Sequence, residues 1–320
     1  MSQDDFFLDN RTYIILFLMN NSSNKMSGVY NIMPTPFNED ETIDLKSLKS
    51  VTEFMLSSEV HGITVLGVLG EAHKLTESER DIVLGTVLDV VNGQVPVCVG
   101  TSHASTYGCI STSKRAIDLG ASSVMITPPK LMRPSDPAVR DHYLTLASIL
   151  EAPIVIQDHP TSTGVYMSTE FLLGLADSES LLSNIKLEDE PSPKKVSDLL
   201  QQNREMKIFG GLGGIMFLEE LRHGAVGTMT GFAFPNVLVR IYDKFNSGDL
   251  EGAEELCNRY CPLISFENQK YINLPLRKQA YYRRGIIASP TARKPHAPID
   301  QMTLDELDKL LYWADTQGEN

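Results

Sequence analysis

Asn184-Ile185-Lys186-Leu187-Glu188-Asp189-Glu190-Pro191 places a lysine inside an apolar, strand-like run and follows it at once with an acidic turn. Lysine is ordinarily a surface residue. In mid-strand it must be paired, neutralised or stretched until its ammonium reaches water. Two readings stand. A desolvated amine has a lowered pKa, and the free amine can attack a ketone to form a Schiff base. A lysine on an edge strand simply faces water. The rest of the chain has to decide between them.

Similar runs recur on both sides of it. Strands are expected at Gly28–Thr35, Ile63–Gly67, Pro96–Gly100, Ser123–Thr127, Ile154–Asp158, Asn184–Glu188, Lys207–Gly211 and Val226–Thr230. Helices are expected between them at Leu45–Ser58, Glu77–Val91, Tyr107–Leu119, Asp136–Leu150, Ser168–Ala176, Pro193–Gln202 and Met216–His223, with an eighth at Pro235–Phe245. Thr76-Glu77-Ser78-Glu79 reads as a capping box. Strands separated by helices pair in parallel, because each return crosses a face of the sheet. Eight such units fit a (β/α)8 TIM barrel. An open doubly wound sheet is the runner-up, but Met33-Pro34-Thr35-Pro36-Phe37 follows the first strand where a dinucleotide fold would carry GxGxxG. Gly211-Leu212-Gly213-Gly214 lacks the spacing of a phosphate loop and reads as a tight turn.

Further helices are expected at Gly248–Ser265, Leu274–Arg284 and Thr303–Thr316. The chain therefore divides into a barrel over 26–245 and a C-terminal helical extension over 246–320 packed on it. Residues 1–25 read as a loose extension. Their apolar run, Tyr13 to Met19, is preceded by acidic residues and is too short to span a membrane.

Composition sets bounds on function. The chain has 320 residues, 42% of them hydrophobic, and a net charge of -13. No basic block stands out, so neither nucleic acid nor a membrane surface is an expected partner. Four scattered cysteines without a CxxC fit a reducing cytoplasm and no zinc site.

In a barrel the chemistry gathers at the C-terminal ends of the strands. Those ends carry Thr35-Pro36-Phe37, Gly67-Val68-Leu69-Gly70-Glu71, Thr127-Pro128-Pro129-Lys130, Gln157-Asp158-His159-Pro160, the Thr163-Gly164 turn, Lys186 with Glu188, and Thr228-Met229-Thr230. In this order and spacing they resemble the dihydrodipicolinate synthase/N-acetylneuraminate lyase family, pyruvate-handling class I aldolases and lyases. The resemblance covers about residues 28–300, and Gly224-Ala225-Val226-Gly227 entering the last strand also fits it.

The resemblance implies that Lys186 forms a Schiff base with a 2-oxo acid, without metal or other cofactor. It implies that the substrate carboxylate rests on the backbone N–H groups of Val68 and Leu69, with Thr35 and a carbonyl near Met229 lining the pocket. It also implies a homodimer or homotetramer. Departures accompany it. Val68 stands where a hydroxyl is usual, Gln157 where a proton-relaying tyrosine is usual, and Lys130 where a tyrosine is lent across a dimer. Ser162 stands where synthases carry an arginine for a second carboxylate. Gln157 can orient an oxygen but is no acid or base. Glu188 lies two residues after Lys186 and so shares its side of the strand. It is the expected replacement relay, with His73 and His159 behind it, and Lys130 is a candidate for the distal end of an acidic substrate.

Three functions remain open at this point. The first is an aldolase, lyase or dehydratase acting on pyruvate or a 2-oxo-3-deoxy acid, or a true 4-hydroxy-tetrahydrodipicolinate synthase with an altered relay. The second is a catalytically impaired 2-oxo-acid-binding homologue. The third is a metal-dependent enzyme using Asp158, Glu188 and Asp189.

Overall fold

The computed structural model describes residues 26–129 and 135–317. The expected extension over 1–25 and the candidate Lys130 lie outside them. Eight parallel strands close into a barrel in sequence order. They are β1 Gly28–Ile32, β2 Gly62–Val65, β3 Val97–Gly100, β4 Ser123–Ile126, β5 Ile154–Asp158, β6 Asn184–Leu187, β7 Lys207–Gly210 and β8 Gly227–Thr230. The ring closes where β8 returns to β1 with Gly28 opposite Gly227. A side chain on Gly227 would meet the Gly28 carbonyl at 1.9 Å, so only glycine allows that approach.

Strand sequences alternate as a barrel wall requires. Ile154, Ile156, Ile185, Leu187 and Ile208 point outward into a core shared with the helices. Tyr30, Cys98, Met125, Val155, Phe209 and Met229, one each from six strands, form a separate interior cluster. A helix follows almost every strand, and local signals start them: Asp44, Ser105 and Ser168 each accept a backbone N–H, and Thr76 with Glu79 completes the capping box.

The helices around the strands are α1 Leu45–Ser57, α2 Glu77–Val91, α3 Thr106–Leu119, α4 Asp136–Ile149, α5 Thr169–Ser178, α6 Ser192–Gln202 and α7 Phe217–Arg222. Beyond β8 lie α8 Pro235–Asn246, α9 Leu250–Glu267, α10 Asn273–Arg283 and α11 Gln301–Gln317. They share the large core with β1, β2 and their helices. They also reach the C-terminal end of the barrel strands. Past β8, Phe232 O accepts from Tyr281 Oη at 3.2 Å, and Ala233 N–H donates to Glu267 Oε2 at 3.2 Å.

One buried acid sits behind the wall. Glu220, on the helix Phe217–Arg222, accepts from Ser192 Oγ at 2.6 Å. Burial pushes its carboxyl up to about 7, against the pull of the Ser192 hydroxyl. The folded protein therefore binds this proton more tightly than the unfolded chain. Stability from this group is full at low pH and falls as pH rises from the ordinary glutamate range through about 7. Glu220→Gln is expected to raise stability at pH 8 by up to about 3 kcal/mol, read as a higher melting temperature, and to change little at pH 5. Thermal unfolding at the two pH values checks this, and a loss at pH 8 would contradict it.

Candidate active site

Parallel register carries Lys186 into the barrel. It lies opposite Gln157 on β5 and opposite Phe209 on β7, and Phe209 belongs to the interior cluster. Lys186 is 3% exposed, so it is no edge-strand lysine facing water. β6 has neighbours on both sides, which removes the edge altogether.

Three polar groups converge on one oxygen. Glu188 Oε2 lies 3.0 Å from Lys186 Nζ and accepts from Gln157 Nε2 at 2.7 Å. His159 Nδ1 stands 3.7 Å from the same oxygen. Burial pushes the Glu188 carboxyl up, but the Lys186 charge, His159 and the Gln157 amide outweigh it and hold the carboxyl below its ordinary range. Glu188 is thus a carboxylate beside the lysine. Burial holds the His159 imidazole below its ordinary pKa despite the Glu188 charge.

Gly211 makes room for this arrangement. A Cβ there would lie 2.5 Å from Glu188 Cγ. Gly211 is more than a turn residue; the group it clears follows the end of β6 and leaves no mark in the sequence around 211–214. Gly211→Ala is expected to push Glu188 off Lys186 and lower turnover on the order of 10- to 100-fold. Steady-state kinetics checks this, and unchanged turnover would show that Glu188 tolerates displacement.

The glycine loop after β2 has an unusual backbone. Leu66 and Glu71 have φ of 57° and 53°, left-handed values that cost a non-glycine residue roughly 1–3 kcal/mol each. Glu71 N–H donates to Val68 O at 3.0 Å, and Thr35 Oγ1 donates to Gly70 O at 2.7 Å. Thr35 therefore braces this loop. Val68 turns its side chain outward, 51% exposed, while Leu69 lies buried against Gly231 past β8. The Met229 side chain is buried in the interior cluster, where it packs. Lys186, Gln157 and Glu188 are thus brought together by contact, and Val68 and Leu69 sit on a loop at the same end.

Other candidates go elsewhere. His73 is exposed on the short turn Ala72–Lys74. Asp158 and Asp189 share Lys195, at 2.7 and 2.9 Å, instead of converging with Glu188. Asp158, Glu188 and Asp189 therefore do not form a metal-binding carboxylate cluster, and none is found among the described residues. Lys195 is a residue that the sequence reading missed. Burial pushes Asp158 up to about 6, against the Lys195 charge. Ser162 lies on the single helical turn Pro160–Thr163 and donates to His159 O.

An interior lysine on the sixth strand of an eightfold barrel, with a glycine loop after the second, can be compared with known proteins. A family model described as the dihydrodipicolinate synthetase family matches residues 25–314. The chain belongs to this family. It is 30% identical over 295 residues to an L-2-keto-3-deoxyarabonate dehydratase of Azospirillum brasilense, covering 91% of this chain and 95% of that one. It is 30% identical over 290 residues to a 4-hydroxy-tetrahydrodipicolinate synthase of Methanoculleus marisnigri, covering 89% and 98%. The crystal structure of dihydrodipicolinate synthase from Rhodopseudomonas palustris superposes with a TM-score of 0.83 at 31% identity, over 90% of this chain and 97% of that one. As a member of the dihydrodipicolinate synthetase family, the protein is an enzyme of the aldolase and lyase type. Among the described residues, no helix is long and apolar enough to cross a membrane.

Proposed function

We propose that the protein is a Schiff-base lyase for a 2-oxo-3-deoxy sugar acid, eliminating the hydroxyl at C4. The observation that carries this is the Glu188 carboxylate 3.0 Å from the Lys186 amine. Glu188 takes a proton from the Lys186 ammonium, the free amine attacks the C2 ketone, and that proton returns as the carbinolamine oxygen leaves as water, giving an iminium. That electron sink acidifies C3. Glu188 takes the C3 proton to form an enamine, and returns a proton to the departing C4 hydroxyl. Hydrolysis then frees Lys186. A single carboxylate suits both transfers, because it can give back the proton it has taken. Gln157 holds Glu188 toward the amine through its 2.7 Å bond. The N–H groups of Val68 and Leu69 receive the substrate carboxylate.

The Azospirillum brasilense relative named as a dehydratase supports this direction. Retro-aldol cleavage between C3 and C4 uses the same iminium and is the neighbouring outcome. A synthase that must bind a second carboxylate is less well served, since an uncharged serine, Ser162, stands where synthases carry an arginine, and its hydroxyl donates to His159 O. Assay of a panel of 2-oxo-3-deoxy acids tests the reading. Release of a dehydrated 2-oxo product supports elimination; release of pyruvate and an aldehyde supports cleavage; no turnover with retained binding supports a non-catalytic homologue.

Two further expectations belong to the same reading. A reducing cytoplasm fits the four free cysteines. A homodimer or homotetramer is expected, although one solved relative, with a TM-score of 0.85 and 25% identity, is a monomeric dihydrodipicolinate synthase variant. Sedimentation velocity decides between these states.

A further inference from the structure

We propose that the buried Glu71–Lys278 pair is a positioning tie, through which the C-terminal helices set the shape of the loop that receives the substrate carboxylate. This rests on the assignment of Val68 and Leu69 to that carboxylate.

The loop cannot hold its own shape cheaply. It runs from Leu66 to Glu71, and both ends are left-handed. Such conformations persist when the surroundings over-determine them. At Glu71 they do. Its side chain is fully buried, and its two oxygens take three donors. Lys278 Nζ reaches Oε1 at 2.5 Å, while Lys74 Nζ and the Arg293 N–H reach Oε2 at 2.9 and 3.0 Å.

Lys278 and Arg293 lie far away in the chain, on α10 and in the segment between α10 and α11. Each is fixed in turn. Lys278 Nζ also donates to Thr291 O at 2.8 Å. The Arg293 guanidinium holds Glu79 through two bonds, at 2.7 and 2.9 Å. Both cations face the ring of Phe37, with Lys278 Nζ at 4.2 Å and the Arg293 guanidinium at 4.4 Å from its centre. Phe37 follows β1 two residues after Thr35, whose hydroxyl holds the Gly70 carbonyl in the same loop. The end of β1, the loop after β2 and the C-terminal region are thus locked at one place. Burial holds the Lys278 amine down at about 8, against the pull of Glu71, which fits a lysine enclosed for a structural purpose at this site.

A tie that only stabilises the fold and a tie that shapes the loop differ in what they change. Borohydride trapping of the protein with increasing pyruvate separates them. It yields a half-saturating concentration, which reports the loop, and a saturating rate, which reports Lys186. Lys278→Met and the milder Glu71→Gln are expected to raise the half-saturating pyruvate on the order of tenfold or more, with the saturating rate held within about twofold. Lys278→Arg is expected to recover part of the shift. Leu311→Ala, in the buried face of α11, is the control: it lowers the melting temperature and leaves the pyruvate dependence alone. Parent-like pyruvate dependence in both Lys278→Met and Glu71→Gln, with only the melting temperature lowered, overturns the proposal. If the parent itself forms no adduct, the Schiff-base reading fails first, which is a different result from an unchanged half-saturation.

Discussion

Lys186→Ala is expected to abolish turnover, by roughly four orders of magnitude or more, because it removes the amine that the proposed mechanism needs for the covalent intermediate. The variant also strands the Glu188 carboxylate, which is buried and loses its ion pair. Removing one partner of such a pair costs about 3–5 kcal/mol. Loss of activity in this variant alone could therefore be blamed on the fold. Lys186→Arg separates the two effects. It keeps a cation beside Glu188, but a guanidinium stays protonated and forms no imine. Both variants should be inactive, and Lys186→Arg should melt nearer the parent. Turnover retained by either one would remove Lys186 from the chemistry.

Glu188→Gln is the second large expected effect. It preserves shape and removes the proton carrier, so turnover should fall by about 10²- to 10⁴-fold. Imine formation with pyruvate should survive, because Lys186 is untouched. The sign of the change in trapping rate carries information of its own. Faster trapping would mean that the carboxylate held the amine protonated in the parent. Loss of both trapping and turnover would mean that Glu188 serves to prepare the lysine and takes no later part. His159 is the second group in reach of the same oxygen, at 3.7 Å. If Glu188→Gln turns over at near the parent rate, His159 becomes the leading relay.

Much of this was legible in the sequence because it depends on period and order. All eight strands lie where alternating apolar runs place them, with Ile154–Asp158 exact and the others differing by one to three residues. The first strand was read too long: Met33 N–H still donates to Thr64 O, but Pro34 has no N–H with which to continue the ladder. The period of two put Glu188 on the side of Lys186, and the two groups are in contact. The single turn Pro160–Thr163 was missed, since four residues carry no period.

What the sequence concealed are meetings between distant segments. Nothing near Glu71 announces that Lys278, 207 residues later, closes on it. Nothing near Asp158 announces Lys195, and the acidic turn that invited a metal is instead partly consumed by that lysine. Gly211 reads as a turn residue, and its clearance of Glu188 is visible only once β6 and β7 are adjacent. The C-terminal helices read as an addition to the barrel, yet they reach the C-terminal ends of its strands through Tyr281, Lys278 and Glu267.

Borohydride reduction in the presence of pyruvate, followed by peptide mapping of the modified residue, is the most direct test of the central claim. A reduced pyruvyl group on Lys186 and on no other lysine is the expected result. An unmodified protein, or modification of a different lysine, would contradict it.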